Sequence, residues 1–150
     1  MAMNVRFIFA ICGLSFLMAS SSNSSFAESK YEQKPSHQNA VVYIVSPQDG
    51  QKLKSPVTIV FGLKAMGVAP AGINLPNTGH HHLLIDSKLP NLKQPIPANE
   101  KSIHFGAGQT ETSVELKPGK HTLQLLLGDA NHFPHLPAVY SKKIEIEVLP

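Results

Sequence analysis

From residue 41 to the C-terminus, apolar and polar residues alternate in short runs broken by turn residues. Val57, Ile59, Phe61 and Leu63 alternate with Thr58, Val60 and Gly62. Thr112, Val114 and Leu116 alternate with Glu111, Ser113 and Glu115, and His121, Leu123, Leu125 and Leu127 share one parity. Near the end, Ile144, Ile146 and Val148 alternate with Lys143, Glu145 and Glu147. A period of two puts alternate side chains on opposite faces, which is the signature of a half-buried β-strand. The pattern predicts seven strands, at 41–45, 57–63, 80–86, 102–105, 110–116, 121–127 and 138–149, and no helix. Ser46-Pro47-Gln48-Asp49-Gly50 and Lys117-Pro118-Gly119-Lys120 carry turn chemistry between them. Short strands with regular turn signals predict an all-β fold, an immunoglobulin-like antiparallel β-sandwich.

One strand departs from ordinary patterning. Gly79-His80-His81-His82-Leu83-Leu84-Ile85-Asp86 passes through three consecutive histidines into an apolar run. Alternation puts His81, Leu83 and Ile85 on one face and His80, His82, Leu84 and Asp86 on the other. Leu83 and Ile85 mark the first as the core face. His80 and His82 then stand side by side, about 6–7 Å apart along the strand, a spacing that lets two imidazoles reach one metal ion.

Topology extends this pair. In an antiparallel sandwich, loops 64–79, 106–109 and 128–137 lie at one end. Loop 64–79 is longer than a connector requires, as functional loops often are. His80, His81 and His82 enter at that end, His104 lies beside loop 106–109, and His132 and His135 belong to loop 128–137. Met66, Gln109, Glu111 and Asp129 sit there too. The first-choice ligands are His80, His82, His104, His132 and His135, with His81 and Met66 in reserve. Each piece also has a structural reading. His81 faces inward, Met66 is suited to plugging a core, Asp129 fits a turn, and His132 and His135 flank a Phe-Pro pair. His121, at the opposite end, is expected to bond across the corner before its strand, as a tyrosine does in related folds.

Composition narrows the chemistry. The chain has 150 residues, which fits one domain, and a formal charge of +3. Its lysines are scattered without interleaved aromatics, which argues against a nucleic-acid partner. Phe7 to Met18 is an apolar run too short to span a bilayer, followed by small residues ending Ser25-Phe26-Ala27. This reads as a signal peptide over 1–27, cleaved after Ala27, then a flexible leader at 28–40 and the folded domain at 41–150. The expected location is periplasmic or secreted, without a stable membrane anchor. The single cysteine, Cys12, falls inside the signal peptide. The mature chain is therefore expected to have no disulfide, thiolate zinc site or cysteine nucleophile, and a metal site must use His, carboxylate or Met66. Imidazole-rich sites suit copper or zinc. Export and the lone methionine favour copper.

At these residues the chain resembles a known family. Gly67-Val68-Ala69-Pro70-Ala71-Gly72, Asn77-Thr78-Gly79-His80-His81-His82-Leu83-Leu84-Ile85-Asp86, His104-Phe105-Gly106 with Gly108-Gln109-Thr110-Glu111, and Leu127-Gly128-Asp129 with His132 are similar to the bacterial exported domain known as domain of unknown function 4399. The likeness covers roughly residues 41–149. It implies an exported single domain and supplies no catalytic residues.

Three functions compete. The first is an exported metal-binding module, for copper or zinc. The second is a module that binds a small ligand or a protein, of unspecified identity, through the same loops; the lack of tryptophan argues against a sugar-stacking platform. The third is an enzyme using a neutral histidine as base, oriented by Glu111 or Asp129. No Ser-His-Asp order or carboxylate pair stands out, so the balance leans away from catalysis.

Overall fold

Period-two alternation becomes paired strands throughout residues 31–150, which the computed structural model describes. The expected signal peptide lies outside the described residues. The strands are β1 (Val41–Ser46), β2 (Lys52–Lys54), β3 (Val57–Lys64), β4 (Gly67–Val68), β5 (Thr78–Ile85), β6 (Ser102–His104), β7 (Glu111–Val114), β8 (Gly119–Gly128) and β9 (Ile144–Leu149). No helix occurs among the described residues.

Two sheets form, a three-stranded one in the order β1-β3-β7 and a larger one in the order β2-β9-β8-β5-β4, with β6 also paired to β5. Val42, Val57, Ile59 and Phe61 of the first sheet pack against Leu83, Ile85, Leu123, Leu125, Leu127, Ile146 and Val148 of the second. The predicted all-β class and face-to-face sheets are therefore present.

The details differ from the alternation pattern. The short strands β2 and β4 were not foreseen, and each pairs parallel to its neighbour, β2 with β9 and β4 with β5. The sandwich is thus not purely antiparallel. The last strand is also shorter than predicted. The Ser141 hydroxyl accepts the Leu125 N–H at 2.8 Å, replacing a backbone acceptor. Pairing before β9 is reduced to a bridge between Leu126 and Tyr140.

Strand β5 is buried on both faces. Leu83 and Ile85 enter the main core, while Leu84 on the opposite face packs with Leu126 and Ile96, flanked by Leu89 and Leu92. Ile96 comes from the proline-rich stretch 87–100, which folds over the outer face of the larger sheet.

The segment expected as a leader at 28–40 makes specific contacts from Tyr31 onward. The Tyr31 ring stacks on Phe133 with centroids 4.3 Å apart. Residues 34–36 run beside Leu136, with Ser36 N–H donating to Leu136 O at 3.2 Å and Leu136 N–H to Lys34 O at 2.9 Å. Aromatic stacking and backbone pairing outweigh the segment's polar composition.

Candidate metal centre

The site begins with the pairing register of β5. His82 lies opposite His104 on β6, and His80 lies opposite Gly128 on β8. His80, His82 and His104 are thereby carried to the same face of the sheet. The loop after β8 brings in the fourth ring. Asp129 shapes that loop, its Oδ1 accepting the N–H groups of Asn131 at 2.9 Å and Phe133 at 3.1 Å. His132 has φ of 67°, a left-handed backbone that side chains other than glycine seldom adopt. Its carbonyl accepts the Ile96 N–H at 2.8 Å, tying the loop to the covering segment.

Four imidazoles converge. Ring centroids lie 4.9 Å apart for His80 and His104, 5.1 Å for His80 and His132, and 4.7 Å for His104 and His132. One ligand nitrogen from each of His80, His104 and His132 lies within 4.8 Å of the others. His82 stands beside them, its Nε2 3.1 Å from His80 Nε2. Two glycines make the approach possible. A β-carbon on Gly106 would sit 2.3 Å from His104 Cε1, and one on Gly128 would sit 3.0 Å from His82 Nε2. In the sequence both glycines stand in the family motifs, Gly106 in His104-Phe105-Gly106 and Gly128 in Leu127-Gly128-Asp129, but nothing there shows that a histidine ring would lie against either.

The electrostatics are those of lone pairs held in readiness. His80 and His82 are wholly buried, and His104 and His132 are half-buried. Burial first, then the neighbouring His104 and His132 rings, pushes His80 down to about 4. Burial first, then His80, His104 and His132, pushes His82 down to about 2. His104 is lowered by burial and by His132. These rings are therefore neutral at physiological pH. A neutral imidazole has one donor and one acceptor nitrogen, yet among the described residues the buried nitrogens His80 Nδ1, His82 Nδ1 and His104 Nε2 have no hydrogen-bond partner. Unpartnered buried nitrogens are rare, and each one needs a physical reason. Among the described residues no carboxylate joins the group; Asp129 gives its second oxygen to the Tyr31 hydroxyl at 2.9 Å.

Other sequence candidates stand apart. His81 points into the main core, its ring 5.1 Å from that of Phe61. Met66 packs against the same core, across β5 from the cluster. With Met66 elsewhere, the specific argument for copper falls away. His135 is buried behind the loop, its Nε2 bonding the Thr78 carbonyl at 3.1 Å. His121 bonds Lys117 O at 2.8 Å across the corner before β8 and Asp86 Oδ2 at 2.7 Å, the structural role expected of it. A cleft of about 500 Å³ also opens between loops 73–78 and 129–135, bordered by Lys34, Ile73, Leu75, Asn77, Ala130 and His135.

Comparison with known proteins adds the family. The model of the family described as "Domain of unknown function (DUF4399)" matches residues 59–149. The chain belongs to that family. The matched span runs from β3 to the end of β9 and contains all four clustered histidines, but not Tyr31–Ser36. No curated protein and no solved structure matches the chain.

Proposed function

We propose that this DUF4399 domain is a histidine-only metal-binding module, for zinc or copper, working outside the cytoplasm. The observation that carries the reading is the buried convergence of His80, His104 and His132, with His82 beside them and three of their buried nitrogens unpartnered. Neutral imidazole suits the borderline ions Zn(II), Cu(II) and Ni(II). Zinc takes about four ligands, and a catalytic zinc keeps one position for water. Three histidines with a fourth close by fit either a closed structural site or a site with one exchangeable position. The apolar N-terminal run, read as a signal peptide, supports export.

Elemental analysis of the tag-free protein, followed by zinc and copper titration against a competing chelator, tests this. The expected result is one tightly bound ion per chain, lost in a His80→Ala/His104→Ala variant. No binding tighter than micromolar would overturn it. In that case the cleft beside Lys34 supports a second reading, an organic ligand with an apolar body against Ile73 and Leu75 and an anionic end at Lys34.

A further inference from the structure

We infer that the segment Tyr31–Ser36 is a working part of the metal centre, a strap that positions His132; this rests on the metal-binding reading. The contacts are specific. The Tyr31 hydroxyl donates to Asp129 Oδ2 at 2.9 Å and accepts from Asn131 Nδ2 at 2.8 Å, while its ring stacks on Phe133. Gln33 Nε2 donates to Pro134 O at 2.7 Å and to Leu92 O at 2.7 Å. The strap thus grips residues on both sides of His132 and leaves that ring free to face the cluster. Gln33 also joins the two segments that meet at His132, since Leu92 belongs to the same stretch as Ile96, whose N–H binds the His132 carbonyl.

Two further observations separate this from ordinary packing. None of residues 31–36 belongs to either apolar core, so the strap contributes little to holding the sheets together. His132 occupies a left-handed backbone conformation, which persists only where surrounding structure enforces it. The loop's own bonds, His132 N–H to Asp129 O at 2.9 Å and Asp129 N–H to Phe133 O at 2.8 Å, set its local shape. The strap sets where that shape sits relative to His80 and His104. Tyr31 and Gln33 are positioning residues, acting through His132.

The test uses the full chain and two metals. Zinc affinity is measured by chelator competition, and cobalt(II) is added for its visible ligand-field spectrum, which reports coordination geometry. Tyr31→Phe keeps the stacking ring but loses both hydrogen bonds, and should weaken zinc about tenfold; Tyr31→Ala/Gln33→Ala should weaken it by about 100-fold and alter the cobalt spectrum. Melting of the metal-free Tyr31→Phe variant, which keeps the stack, should stay close to that of the parent. If the parent binds metal and the variants show its affinity and its cobalt spectrum, the strap inference falls while the metal reading stands. If the parent itself takes up neither ion, both fall.

Discussion

His80, His82 and His104 are neutral bases kept from protonating by their surroundings, and that has a consequence for stability. His80 titrates near 4 in the folded protein because of burial and the adjacent rings, against about 6.5 when unfolded. Between those values the unfolded chain binds more protons than the folded one, so stability falls as pH falls. His80 alone should cost the metal-free protein about 2 kcal/mol between pH 7 and pH 5, and His82 acts in the same direction. His121 acts oppositely. Burial opposes its charge, but the Lys117 carbonyl and Asp86 outweigh that and raise its value. Its contribution is complete below the unfolded value and lost as pH rises through the folded one, and its partner is solvent-exposed, so the effect is small. Denaturant midpoints should therefore drop from pH 7 to pH 5, and a His80→Leu/His82→Leu variant should show a shallower dependence. Equal slopes would mean that these rings are reached by water. At this scale the sequence was informative where spacing alone decides: His80 and His82 share a face because alternation requires it. It was uninformative for Met66 and His135. Both lie at the end of the molecule where the histidines gather, but which way a loop side chain turns depends on contacts that the local sequence does not encode.

Among the elements, β5 matters most. Its placement between β8 and β6 turns a His-x-His pair into a four-ring cluster, and its double-sided burial withdraws His80 and His82 from solvent. The strands themselves were legible, because strong alternation from β3 to β9 survives in the sequence. The strip 87–100 was not. Its prolines exclude regular structure, so no periodicity announces that Ile96 will cover Leu84 and Leu126. Strands β2 and β4 were missed because runs of three and two residues carry no period. Ile96→Ala removes the centre of the second core and should destabilise the domain by about 2–5 kcal/mol, toward the lower end because an irregular segment can partly collapse. Urea denaturation gives the number. A loss below about 0.5 kcal/mol would mean that the strip is not a structural cover.

In the whole molecule, the cluster draws on β5, β6 and the loop after β8, elements separated by long stretches of chain. An ion that binds only this assembled arrangement stabilises the fold by mass action, about 2.7 kcal/mol when free metal is 100 times its dissociation constant. Zinc should raise the melting temperature of the parent and leave that of the His80→Ala/His104→Ala variant unchanged. An equal rise in both would assign the effect to another site. The ligand set also has a consequence of its own. The imidazoles contribute no negative charge, so a divalent ion held by them would keep its whole charge beside the buried rings of His80 and His82. Loading therefore either makes the protein more cationic by two units or draws a small anion from solution to the half-buried side formed by His104 and His132. If the cluster takes a metal, it would take up salt rather than exchange protons for the ion, and the identity of that accompanying anion would become part of its chemistry.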